Sequence, residues 1–144
     1  MLVNNCPCGT SKTYASCCEI IHQDAAQAIT AVQLMRARYS AHVLRKKSFI
    51  IATNHASTRH HIDEKELQDW LRQTKWLSLK VFGKQAGAAT DTKGKVRFKA
   101  YYQDEKGKKG EHHELSTFWK ENGQWYFVGG EEPPKHILKK KNNG

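Results

Sequence analysis

The sequence predicts an α+β domain in which helices pack on a curved antiparallel four-stranded sheet, preceded by a small cysteine-bearing segment. Three observations predict it. All four cysteines fall before residue 19; apolar residues recur at helical spacing up to Gln73; and from Trp76 onward short aromatic and aliphatic runs alternate with turn sequences. The 144 residues suffice for one core that buries roughly two-thirds of its unfolded surface, not for two. The chain therefore divides into residues 1–22, a cysteine segment; 23–130, the α+β domain; and 131–144, a lysine-rich extension.

The first segment reads Cys6-Pro7-Cys8, eight further residues, then Cys17-Cys18. Thiolates bind zinc tetrahedrally, and two ligand pairs joined by a short loop close round one ion because its affinity offsets the cost of ordering that loop. Pro7 fixes one dihedral of the first pair and Gly9 admits a positive one, so Cys6 and Cys8 can turn their sulfurs to the same side. Lys12 and the loop amides are placed to balance the thiolate charge. Disulfides suit a reducing compartment poorly, and no cysteine is left to staple residues 19–144. Iron–sulfur spacings are usually wider. The expected ligands are Cys6, Cys8, Cys17 and Cys18, with His22, four residues further on, the alternative to Cys18.

In the second segment, Asp24 to His42 reads as a helix with Asp24 as N-cap and Ala28, Val32, Met35 and Tyr39 along one side. Arg45 to Thr53 supports a shorter helix through Phe49, Ile50 and Ile51, and Asp63 to Gln73 a third through Leu67, Trp70 and Leu71. Four strands are expected at Trp76–Phe82, Lys95–Tyr102, Glu111–Trp119 and Trp125–Gly129, as a meander. Asn122-Gly123 marks the sharpest turn, since both residues tolerate the positive dihedrals of a two-residue hairpin. Beyond Gly129, Pro133, Pro134 and four lysines read as a frayed extension.

Charge narrows the partners. The net charge is +10 with histidines neutral, of which residues 1–43 carry +1. Such a surplus favours polyanions, RNA and ribosomes included, without conferring specificity. No apolar run approaches the roughly 20 residues that span a bilayer, and the first residues lack a secretory pattern, so a cytoplasmic location is expected.

Few residues of the domain advertise chemistry. Asp91 and Asp104 sit in turns, where backbone geometry explains them. His112 and His113 are neighbours in a strand, so at most one faces any pocket; His60 and His61 precede a helix; no second metal spacing stands out. Arg36, Arg38 and Tyr39 form the most suggestive group, two guanidiniums and a phenol able to bind an anion, against the plainer reading in which Tyr39 packs and the arginine stems cover apolar surface.

The C-x-C-x8-C-C segment resembles the SEC-C motif, the small zinc-binding segment at the C-terminus of the SecA translocation ATPase. Further motifs, from Leu34 to Ala41, Thr53-Asn54-His55, Trp76 to Leu79 and Lys120 to Tyr126, resemble the YchJ family of uncharacterised bacterial proteins. The likeness runs from Cys6 to about Gly130. It departs at Ala56, where many relatives have Pro, and at Pro133-Pro134-Lys135, where many have a second cysteine motif. The resemblance implies a nuclear transport factor 2-like cone, in which the sheet wraps a long helix and leaves a pocket. It also draws attention to Thr53 and His55 beside Arg36 and Arg38, and implies a protein partner such as a secretion chaperone or a ribosomal surface.

Three functions compete. The first is a noncatalytic zinc-binding adaptor, whose cysteine segment meets a protein or ribosomal partner and whose cone is a scaffold or ligand pocket. The second is a nucleic-acid binder using the cysteine segment, the lysine tail and Lys95, Arg97 and Lys99. The third is an enzyme of the cone with His55, Tyr39 or Arg36 at its mouth, a reading the fold alone does not warrant. The first ranks highest; a homodimer through the outer sheet face is compatible with all three.

Overall fold

The computed structural model describes residues 5–131. After a 3-10 turn at Tyr14–Ser16 come helices α1 (Cys18–Gln23), α2 (Ala31–Val43), α3 (Lys47–Ala52), α4 (Ala56–Arg59) and α5 (Glu64–Gln73). Strands β1 (Lys75–Ala86), β2 (Lys93–Gln103), β3 (Lys109–Glu121) and β4 (Gln124–Glu131) follow. The expected class holds: helices, then one antiparallel sheet in the order β1-β2-β3-β4. Each strand runs beyond its expected ends, because polar residues that mask the hydrophobic pattern still pair through their backbones. The proline- and lysine-bearing stretch 132–144 lies outside the described residues. No helix among the described residues is long and apolar enough to cross a membrane.

The long first helix differs from expectation. Asp24 does act as a cap, but of a 3-10 turn at Ala25–Gln27; its side chain accepts from the Ala26 amide. The chain then extends through Thr30, which caps α2 by accepting from the Gln33 amide, while the Gln33 side chain returns to the Ile29 amide. Two caps six residues apart split one helix into two elements.

Helix α2 lies against the sheet and is buried along most of its circumference, with Ala31, Leu34, Met35, Ala37, Ser40 and Ala41 inaccessible. Opposite it stand Val96, Ala100, Phe118 and Trp125; the Trp125 indole donates to the Ile29 carbonyl at 3.0 Å. Register shifts between Trp76 and Ser78, Val81 and Gly83, and Thr117 and Phe118 bend the sheet round the helix. The hairpin at Asn122-Gly123 has positive φ at both residues (51° and 79°), as a two-residue turn requires. The link from α3 to α4 is sewn to β4: the His55 amide donates to the Phe127 carbonyl and the Phe127 amide to that of Thr53.

Candidate functional site

Two polar centres flank α2. The first is the cysteine segment. The Cys6 amide donates to the Lys12 carbonyl, Gly9 turns the chain at φ +94°, and Thr13 caps the 3-10 turn that leads to Cys17. This folds the four sulfurs together, all within 4.8 Å of one another, with Cys8 and Cys17 at 3.7 Å. Thiolates round a tetrahedral zinc stand about 3.8 Å apart, so the donor set fits such an ion. Cys6, Cys8 and Cys18 are buried and Cys17 is half-buried. Thr10 Oγ1 lies 3.6 Å from Cys8 Sγ and 3.3 Å from Cys17 Sγ, and Ser40 Oγ lies 3.6 Å from Cys6 Sγ, hydroxyls able to donate to metal-bound thiolates.

The cation that reaches this loop is Arg36, whose Nη1 donates to the Cys8 carbonyl at 2.6 Å; Lys12 is exposed. His22 stays outside the sulfur cluster. One ring nitrogen meets the Tyr14 hydroxyl and the other the Ala37 carbonyl, each at 2.7 Å, and burial pushes its pKa down.

The second centre is a cavity of about 350 Å³ between α2 and the inner face of the sheet. Its walls are Met35, Tyr39, Trp70, Trp76, Phe98, Phe118 and Phe127. Its polar side is built by Arg38 and His42, one turn apart on α2, and by His112, Glu114 and Ser116, alternate residues of β3. Glu114 accepts from His112 Nε2 at 2.6 Å and, on its other oxygen, from the Ser116 hydroxyl. Burial raises the Glu114 pKa, but these two hydrogen bonds and the charges of His112 and Arg38 outweigh it and leave the carboxyl ionised below its usual range. The hydrogen bond to Glu114 raises that of His112, which stands half-exposed at the mouth.

Arg38 donates through Nη1 to the Ile50 carbonyl at 2.8 Å and to Thr53 Oγ1 at 2.7 Å, with its guanidinium 4.4 Å over the Phe127 ring. Desolvation lowers its pKa to about 10 against the pull of Glu114, so it remains charged. His42 hydrogen-bonds the Arg38 carbonyl at 2.8 Å and is held neutral, its pKa pushed down to about 4 by burial. Burial pushes Tyr39 up to about 12.

The structure thus divides the group expected from sequence. Arg38 and Tyr39 line the cavity, Thr53 anchors Arg38 from beneath, and Arg36 serves the cysteines. His55 belongs to neither centre: its Nδ1 accepts from the Ser57 amide as the cap of α4, its Nε2 meets Glu121 at 2.6 Å, and its ring packs edge-on to Trp119 and Tyr126. Asp91 and Asp104 accept from turn amides, as expected, and His60 and His61 are exposed. Glu114, Ser116 and His42 were not singled out by sequence. The signals were present: a polar residue at every second position of a strand, and a histidine four residues from Arg38.

Lys95, Arg97 and Lys99 alternate with the cavity-lining Phe98 and so share the outer sheet face. They are partly committed there, Lys95 to Glu131 at 3.9 Å and Lys99 to Glu111 at 3.2 Å, while Arg97 and Lys99 lie over the Phe82 ring.

A buried helix cradled by a bent meander, with a cavity between them and four clustered cysteines packed beside the helix, defines a cone-type α+β protein with an N-terminal segment compatible with metal binding. Comparison with known proteins gives the family. A family model described as the YchJ middle NTF2-like domain matches residues 30–130, and the chain belongs to the YchJ family. It is 39% identical to a UPF0225 protein of Geobacter sulfurreducens over 129 residues, covering 90% of this chain and 80% of that one. A UPF0225 protein of Vibrio vulnificus is 43% identical over 129 residues, 90% and 75% of the two chains. Among solved structures, a SEC-C motif containing protein from Rhodopseudomonas palustris matches with TM-score 0.83 and 33% identity, over 91% of this chain and all of that one. A sec-c motif containing protein from Psychrobacter arcticus matches with TM-score 0.71 and 34% identity, over 86% and 80%.

Proposed function

We propose that the protein is a noncatalytic binding protein in which zinc, held by Cys6, Cys8, Cys17 and Cys18, braces α2 while the cone cavity receives a small-molecule ligand. The observation that carries this reading is the cavity itself: about 350 Å³, mostly aromatic, with a few convergent polar groups, the usual make-up of a ligand site. The zinc supplies structure, fixing the segment that packs on the helix forming the cavity's polar side. Titration with the neutral fluorophore N-phenyl-1-naphthylamine tests the cavity. Saturable one-to-one binding that disappears in Ala100→Phe, which fills the space from a buried wall position, is the expected result. Binding that ignores the filling substitution, or none at all, removes the reading. Elemental analysis of the purified protein should find one zinc per chain, lost in Cys8→Ser.

A second reading, recognition of a protein or ribosomal partner by the cysteine segment, is favoured by Ile20, which stands 44% exposed on α1 two residues from Cys18. Co-sedimentation with ribosomes that survives high salt and requires Cys17 would support it. Absence of sedimentation at low salt would remove the ribosome from the account.

A further inference from the structure

The chemistry of the cavity wall narrows its ligand, an inference that rests on the cavity being a binding site. A guanidinium has five N–H donors. Arg38 spends Nη1 on Ile50 and Thr53; among the described residues its Nε and Nη2 have no acceptor, and neither is a buried atom left unpaired, so both open onto the cavity. The Trp76 ring lines the same space, although its Nε1, buried and without a hydrogen-bond partner, is closed to a water-sized probe until the wall adjusts. The acceptors of the wall are largely taken. Both Glu114 oxygens already receive hydrogen bonds, from His112 and Ser116, and neither goes to Arg38.

Charge points the same way. His112 compensates Glu114, whereas Arg38 has no carboxylate in contact among the described residues. One uncompensated guanidinium matches a single negative charge; a phosphate dianion would be left half-paired beside Glu114. The fork of Nε and Nη2 suits the two oxygens of a carboxylate. Around it Tyr39, Trp76, Phe98, Phe118 and Phe127 supply aromatic walls that favour a flat apolar body.

We propose that the cavity binds an aromatic monocarboxylate, carboxylate inward on Arg38 and ring system between the aromatic walls. Calorimetric titration of the intact protein with 2-naphthoate, its neutral amide 2-naphthamide and the cation 2-naphthylmethylammonium tests this. Naphthoate should bind roughly tenfold or more tighter than the amide, the scale of hydrogen bonds to charged groups, and should shift the Trp76 indole proton in NMR spectra. Arg38→Met should erase the preference for naphthoate over the amide. Because Arg38 also anchors α3, Glu114→Gln provides a variant that leaves that anchor alone, and it should strengthen naphthoate relative to the amide by removing a repelling charge. Equal affinity for acid and amide, or tighter binding of the cation, overturns the carboxylate assignment while leaving a cavity that binds small molecules. If none of the three binds and N-phenyl-1-naphthylamine does not bind either, the cavity reading falls and this inference with it.

Discussion

Arg36 and Arg38 stand two residues apart, which on a helix turns them about 200° from each other. Sequence proximity grouped them; helical geometry sends one to Cys8 and the other into the cavity. The same arithmetic places His42 with Arg38. Its buried ring makes stability depend on pH with a defined sign. The native pKa is about 4 against an ordinary 6.5, so between these values the unfolded chain holds a proton that the native one refuses. Stability is therefore lost as pH falls from 6.5 towards 4, by at most about 3 kcal/mol. Urea unfolding across this range should show that slope, and His42→Gln should flatten it; an unchanged slope would assign it to other groups. Glu114 is hard to read from sequence because the adjacent histidines His112 and His113 form the more conspicuous pair, one that a strand must split between its two faces. The informative period was two, through His112, Glu114 and Ser116, and its value became visible only with Arg38 opposite.

Helix α2 shows how much of an element its caps decide. Thr30 and Gln33 close its N-terminus from within, and the Gly87 carbonyl accepts from the Ala31 amide across the fold. Thr30→Ala should cost about 1 kcal/mol in chemical unfolding. The β1–β2 connection depends on a closer approach: a Cβ on Gly94 would fall 2.5 Å from Gly87 Cα. Gly94→Ala should therefore destabilise by more than about 1 kcal/mol through a backbone shift that also disturbs the start of α2, seen as a lower urea midpoint with weakened protection of the Ala31 amide. The sheet was legible at this scale because turn chemistry and alternation agree along β1 to β4, and the hairpin at Asn122-Gly123 is the clearest case. The start of α2 was not, because Asp24 is a good cap with a short element of its own, while the Thr30-x-x-Gln33 box lies inside an apolar stripe that reads as continuous.

At the scale of the molecule, the cysteine segment and the cone share packing: Cys8, Cys18 and Ile21 lie in one cluster with Leu34, Met35 and Ala37 of α2 and with Val96, Phe118 and Trp125 of the sheet. Sequence located the segment but not this packing, which joins residues up to 117 positions apart. Metal removal by a chelator should abolish hydrogen-exchange protection in residues 5–23 and weaken it along α2, while the β2–β3 ladder stays protected; loss of protection throughout would mean that the metal holds the whole fold. The +10 charge should give weak RNA binding that falls steeply between low and physiological salt, since Lys95 and Lys99 of the outer face are already paired. The spacing of the two centres along the chain also bears on the order in which a ribosome releases them. The cysteine quartet spans thirteen residues near the N-terminus and needs only a short loop to close, whereas the cavity needs α2 from the first third of the chain and Phe127 from the last strand. During synthesis the cysteine loop can be complete while the later strands are still unmade. The nascent chain then carries a closed cysteine loop against α2 before the cavity's walls are complete, and the enclosed cavity is the last feature of the fold to form.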